Sequence, residues 1–290
     1  MTYDLVIGDR AYSSWSLRGW LFFDAFGIPV RTISARLYTD ELPTILRDFP
    51  PARTAPTMRT PDGTVVPETI AIAEELATRH PAAGLWPADA RARAVARVLA
   101  AEMHAGFMAL RSHCPMNLRV SYTDCAPPDA VLADLDRLQV IWDWARAETG
   151  STGPWLCGDY SAADAFFAPV ATRIATYNLP VGPAAMGYVM AHLAHPSFRR
   201  WRAMGLVDGA DQEFYRRDYP RRDWPGPAPL PARAVDGTMA ENATCPYSGK
   251  PVTHVLDLAG RRFGFCNAFC RDKTVADPEA WPAFMALYQS

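Results

Sequence analysis

YDLVIGDRAYSSWSLRGWLFFDAFG (residues 3–27) changes its hydrophobic period once, and that change decides the fold class. Its first six residues alternate and are β-rich, which predicts a strand. From Ser16 to Phe26 the apolar side chains Leu17, Trp20, Leu21 and Phe23 recur at helical spacing, and Gly27 supplies the stop. Between the two lie adjacent serines, with an arginine five residues after the first. A helix needs one hydroxyl to cap it. The expectation is that Ser14 caps a helix starting near Trp15, leaving the Ser13 hydroxyl facing outward at the positive end of the helix, a place that favours an anion.

Working outward, PVRTISARL (29–37) resumes a strand, and TDELPTILRDF (39–49) begins a short helix behind Asp40. TMRTPDGTVV (57–66) reads as two strands joined by Asp62-Gly63, a strong hairpin signal. ETIAIAEELATRH (68–80) closes the unit as a helix. The order β-α-β, helix, hairpin, helix implies a mixed sheet with helices packed on it. After LWPADA (85–90) the pattern is wholly helical, with helices expected over 89–112, 129–149, 161–177 and 184–204. YPRRDWPGPAPLPAR (219–233) carries five prolines and reads as an extended connection. Beyond it, two short strands flank Ala259-Gly260 and a helix starts near Ala268.

At 290 residues the chain is long enough for more than one core. Hydrophobic residues make up 49% and charged residues 21%, so disorder throughout is excluded. The net charge of -2 offers no global field for nucleic acid or an anionic membrane. Residues 175–198 lack charge, but Pro180 and Pro183 interrupt them, so buried helices are expected in place of a membrane span. The opening residues, with Asp4 and no long apolar run, do not read as a signal peptide. A cytoplasmic location is the expectation.

The residues assembled so far resemble the soluble glutathione transferases, the zeta class and related bacterial members in particular. That class carries Ser-Ser-Cys-Ser-x-Arg, which stands here as Ser13-Ser14-Trp15-Ser16-Leu17-Arg18, with tryptophan in place of the cysteine. TAPTM (54–58) is similar to the family's segment around its cis-proline, ETIAIAEEL (68–76) to its third-helix start, LWPADARARA (85–94) to its interdomain passage, and SAADAFFAPV (161–170) to the capping box of its second domain. The likeness spans roughly residues 1–205. It implies an α/β thioredoxin-like domain over 1–82 that binds glutathione, an all-helical domain over 88–206, and a Pro-rich linker over 207–240.

It implies site roles as well. Ser13 would stabilise the glutathione thiolate. Ser14, Trp15 and Arg18 would complete the binding surface, Ala55 before Pro56 would pair its backbone with the tripeptide, and Glu68 with Thr69 would hold the γ-glutamyl end. Without the resemblance, Ser13 is a loop serine, Arg18 a structural cation and Glu68 an acid complementing a helix dipole. Trp15, His104, Phe107, Met108 and Arg111 read first as core, with the lining of a cleft for a small electrophile as the other reading. The implied reaction is attack of the thiolate on that electrophile, by a homodimer. A glutathione-dependent cis-trans isomerase of zeta type, or a metal or redox sensor on the same scaffold, are the alternatives.

The six cysteines divide unevenly, with Cys245, Cys266 and Cys270 in the last fifty residues. Cys266 and Cys270, four apart at a helix start, share one face, and a knuckle turn at CPYSG (245–249) would bring Cys245 opposite them. Three soft thiolates suit zinc or copper(I). Ser248 stands where a knuckle's second cysteine would be, and His254 is a candidate fourth ligand. The pattern over 241–290 resembles the TRASH and YHS modules, small treble-clef-like domains associated with heavy metals. Reduced cysteines packing a degenerate module are the other reading.

Overall fold

The computed structural model describes residues 2–290. The opening stretch forms strand β1 (Tyr3–Ile7) and helix α1 (Ser14–Asp24), followed by β2 (Val30–Ser34), α2 (Glu41–Leu46), β3 (Thr57–Arg59), β4 (Val65–Val66) and α3 (Thr69–Arg79). The sheet order is β2-β1-β3-β4. β1 runs parallel to β2, with Tyr3 opposite Val30 and Ile7 opposite Ser34, and antiparallel to β3, with Leu5 opposite Met58. This is the thioredoxin-like sheet. β1 is buried along its whole length, as a central strand with packed faces must be.

Helix α1 has only one tolerable place for its sixth residue. A Cβ on Gly19 would lie 2.8 Å from Pro56 Cγ and 2.9 Å from its Cβ, and a proline ring cannot swing aside. Glycine here brings α1 against Pro56, the residue just before β3. Gly19→Ala should therefore destabilise the protein by about 1–2 kcal/mol despite alanine's better helix propensity, because overpacking outweighs the propensity gain. Denaturant midpoints check this; an unchanged or raised midpoint contradicts it.

The helical part consists of α4 (Ala90–Ala105), α5 (Met108–His113), α6 (Asp129–Thr149), α7 (Ala162–Tyr177), α8 (Pro183–Ala194) and α9 (Pro196–Val207). Two helices expected from periodicity are each broken in two. Residues 89–112 divide at Gly106 and Phe107, where Phe107 turns left-handed with φ 59°. Residues 184–204 divide at His195, because Pro196 begins a new helix as its first residue. α7 is buried on all sides and packs on both α1 and α4, so it ties the sheet domain to the helices. No helix among the described residues is long and apolar enough to cross a membrane.

The chain divides into two compact units, 1–193 with 212–225 and 194–211 with 226–290. The stretch expected as an extended linker, 207–240, is divided between them by pairing. In the first unit β5 (Ser121–Tyr122) pairs with β6 (Arg221–Arg222), and Arg222 donates to Ser121 Oγ at 3.0 Å and to the Ala175 carbonyl at 3.1 Å. In the second, β7 (Ala232–Val235) adds to the hairpin of β8 (His254–Leu258) and β9 (Arg261–Phe265). The hairpin turn places Ala259 and Gly260 at φ 54° and 82°, as a two-residue turn of this hand requires. α10 (Ala268–Ala276) and α11 (Pro282–Gln289) complete that small α+β module. Within the same unit α9 packs on α10, and Arg199 grips Asp277 through two bonds of 2.7 and 2.8 Å. The last helix of the expected second domain thus clusters with the cysteine-bearing tail.

Candidate functional site

The site is built at the amino end of α1, and the two serines divide their work opposite to the sequence expectation. Ser13 is the cap. Its side chain accepts from the Ser16 backbone N–H at 3.3 Å and lies 2.7 Å from Ser16 Oγ, to which it donates, while Ser16 Oγ accepts from the Gly8 N–H at 2.9 Å. Ser13 is 8% exposed. Its backbone, at φ -79° and ψ 93°, is extended, the conformation of a cap residue; Ser14 is already helical. Ser14 is half-buried, lines a cleft, and its hydroxyl has no partner among the described residues. The backbone N–H groups of Ser14 and Trp15, at the start of the helix, have no acceptor either. The outward hydroxyl is therefore that of Ser14.

The cleft, about 250 Å³, is lined by Tyr12, Ser14, Trp15, Arg111, Arg173 and Tyr215, with Met108 and Phe214 among the residues at its edge. The Trp15 ring has the Arg18 guanidinium carbon 4.3 Å and the Arg111 carbon 4.9 Å from its centroid, and meets His104 edge-on at 5.1 Å. Burial, then the like charges of Arg173 and Arg111, push Arg18 well below the usual arginine range. Burial, then Arg111, pushes Arg173 down to about 10. Of the five residues read first as core, Trp15, Met108 and Arg111 line the cleft instead, Phe107 is buried, and His104 lies outside the cleft lining, against Trp15.

Ala55 and Pro56 are joined by a cis peptide bond and sit at the entry to β3; Ala55 is half-buried. At the start of α3, Glu68 Oε1 accepts from the Thr69 N–H at 2.6 Å and from its hydroxyl at 3.0 Å, and His104 Nδ1 lies 3.7 Å away. Glu68 is the cap of its own helix, and Thr69 is buried beneath it.

Tyr12, Arg173, Phe214 and Tyr215 escaped the sequence reading. Tyr215 stacks on Tyr12 with centroids 4.7 Å apart, and it comes from a stretch that composition marks as connection. The aromatic pair Phe214-Tyr215 among prolines and charges is the signal that was present.

In the second unit the three sulfurs of Cys245, Cys266 and Cys270 lie within 4.8 Å of one another. Ser248 Oγ donates to Cys266 Sγ at 3.1 Å, Asn267 Nδ2 reaches the same sulfur at 3.4 Å, and Asn267 Oδ1 caps α10 by accepting from the Cys270 N–H at 2.8 Å. Burial raises the Cys245 thiol, but the backbone N–H groups of Tyr247, Cys266 and Ser248, with the Ser248 hydroxyl, outweigh it and hold that thiol below the usual range. Burial pushes Cys270 up. His254 pairs with the Thr253 hydroxyl at 2.8 Å and is not part of the cluster. Three converging sulfurs, those of Cys245 and Cys266 already facing hydrogen-bond donors, fit one soft ion with an open position.

Residues 12–79 match the family model described as the N-terminal domain of glutathione S-transferases. Among solved structures, the chain is 22% identical to a glutathione transferase homologue from Burkholderia, whose structure holds bound glutathione, at TM-score 0.55 over 71% of this chain and 98% of that one. A glutathione transferase Omega 2S from Trametes versicolor is 18% identical, at TM-score 0.56 over 74% and 99%. A homologue from Lodderomyces elongisporus, with two glutathiones per subunit, is 16% identical, at TM-score 0.54 over 70% and 98%. No curated protein matches the chain. These likenesses establish the glutathione transferase fold.

Proposed function

We propose that the protein is a glutathione transferase that binds the tripeptide across Ala55, Pro56, Glu68 and Thr69 and presents its sulfur to the amino end of α1. The observation that carries the reading is the set of unpartnered donors there: the Ser14 hydroxyl and the N–H groups of Ser14 and Trp15. A thiol with a pKa of about 8.5 is only a few per cent ionised at neutral pH. Lowering it by ~2 units takes about 2.7 kcal/mol of preferential anion stabilisation. A charge-assisted hydroxyl bond contributes about 1.5–3 kcal/mol and the helix terminus about 0.3–1 kcal/mol, a combined range that brackets the requirement.

The thiolate then forms a carbon–sulfur bond to the electrophile while the leaving group departs with its electron pair. The thiol proton has already passed to solvent. The expected result is glutathione binding together with conjugation of at least one electrophile in a broad panel. Protein that neither binds glutathione nor turns over any of them refutes the reading. A homodimer goes with it, checked by light scattering.

The second unit supports a separate reading, in which Cys245, Cys266 and Cys270 hold a zinc or copper(I) ion and give the chain an accessory or sensing role. The convergence of three sulfurs favours it. A small module of this kind commonly needs such a staple. Elemental analysis of purified full-length protein should find about one soft metal ion per chain, and Cys266→Ser should lower that at least fivefold. Metal-free protein that stays folded and gains no metal on titration would remove this reading.

A further inference from the structure

Three guanidiniums meet beside the cleft, and no carboxylate balances them. Arg18 is 1% exposed; its Nε donates to the Phe166 carbonyl at 3.0 Å, and one of its terminal nitrogens, Nη1, is buried with no partner. Arg173 is 4% exposed and donates to the carbonyls of Cys114 and Pro169 at 2.9 and 3.1 Å. Arg111 reaches only the carbonyls of His104 and Gly106 and the Met108 sulfur, each at 3.5 Å, the outer limit of a hydrogen bond. Every one of these partners is neutral. None of the three arginines joins an ion pair among the described residues.

Glu68 acts on Arg18 and Asp9 on Tyr215, and both acids are engaged elsewhere. Asp9 holds Arg36 and the Leu37 N–H, each at 2.8 Å. Glu68 caps α3 and faces Arg18 only at longer range. Isolated buried charge is costly unless a partner neutralises it. A protein that keeps two arginines out of water and a third half-buried, without a counterion of its own, is arranged to receive one.

On the proposed binding mode the γ-glutamyl carboxylate and ammonium of a bound glutathione lie at Glu68 and Thr69 and not beside Arg111 and Arg173, while its sulfur brings one negative charge to Ser14. The cleft next to it is bordered by Arg111 and Arg173 and walled by the Tyr12–Tyr215 stack. We infer that this cleft takes an electrophile bearing a carboxylate, its charge held by Arg111 and Arg173 and its apolar body against Tyr12, Trp15 and Tyr215. Planar guanidinium forks suit a carboxylate, and the aromatic walls suit a ring or chain. This inference rests on the glutathione reading above and names the substrate class of that site. A neutral apolar electrophile would leave the arginines unbalanced and would bind less well.

The test is calorimetric, on the full chain, with glutathione, S-benzylglutathione and S-(4-carboxybenzyl)glutathione as probes. The carboxylated conjugate should bind at least tenfold more tightly than the benzyl conjugate at low salt, and added salt should narrow the gap. Arg111→Gln should weaken the carboxylated conjugate at least tenfold more than it weakens the benzyl conjugate. Arg111→Lys, which keeps the charge, should retain most of the preference and so separates charge from packing. Equal affinities in a protein that binds both conjugates overturn the carboxylate inference and leave the glutathione reading standing. Failure to bind glutathione or either conjugate overturns both.

Discussion

Asp164→Ala should cost about 4 kcal/mol of stability. Asp164 is completely buried at the third position of α7, where its carboxylate collects the Ser161 N–H at 2.9 Å, the Ser161 hydroxyl at 3.0 Å, the Tyr188 hydroxyl at 2.8 Å and, more weakly, the Leu156 N–H at 3.4 Å. Alanine strands these donors away from water. Each buried orphan costs about 1–3 kcal/mol, and the lost cap adds about 1 kcal/mol, with partial relaxation bringing the sum down. Denaturant midpoints measure it, and a loss under about 1.5 kcal/mol would show that the network is dispensable.

The same carboxylate carries a pH signature. Burial raises its pKa above the ordinary 3.8 in spite of the donors around it. The folded state therefore holds the proton more tightly than the unfolded chain, so the contribution is fully present below the unfolded value and declines as pH rises through the folded one. Asp164→Asn, which cannot titrate, should lose less relative to wild type at neutral pH than near pH 4. A difference that grew with pH would reverse the sign and refute the assignment.

Ser14→Ala should lower turnover with glutathione by about 4- to 25-fold at neutral pH, the fall in thiolate fraction expected when one charge-assisted hydrogen bond to the sulfur is lost and its pKa climbs back toward about 8.5. Ser13→Ala should act differently. It removes the cap and the contact with Ser16, so it should destabilise the protein by about 1 kcal/mol while leaving the ionisation of bound glutathione near its wild-type value. Titrating the thiolate absorbance of the bound tripeptide separates the two. In Ser14→Ala the apparent pKa should move up toward the free-solution value, and the difference in rate should vanish at a pH high enough to ionise the thiol unaided. Equal effects of the two substitutions on that titration would show that the hydroxyls share the task, and a shift confined to Ser13→Ala would return the role to the first serine.

The change of period within residues 3–27 was enough to establish a strand feeding a helix, and the Asp62-Gly63 turn, the apolar spacing of residues 129–149 and the Ala259-Gly260 turn placed the hairpins and the longest helix where the structure has them. Those features are local. Each depends on the conformational preference of a few neighbouring residues, and a linear sequence displays them directly. The thiol cluster was legible for the same reason, since Cys266 and Cys270 share one helical face and the knuckle returns Cys245 to it.

Other features depended on which groups meet across the fold. The division of 207–240 between two units and the arrival of Tyr215 on Tyr12 involve partners dozens to hundreds of residues apart. Which of two adjacent serines caps α1 was equally hidden, because the answer depends on Ser16 receiving the Gly8 N–H and taking Ser13 as its neighbour. The arginine trio is the clearest instance. Arg18, Arg111 and Arg173 are unremarkable charges along the chain, and their meaning appears only once folding buries them together without a carboxylate, since an electrostatic imbalance is a property of a volume and not of a sequence.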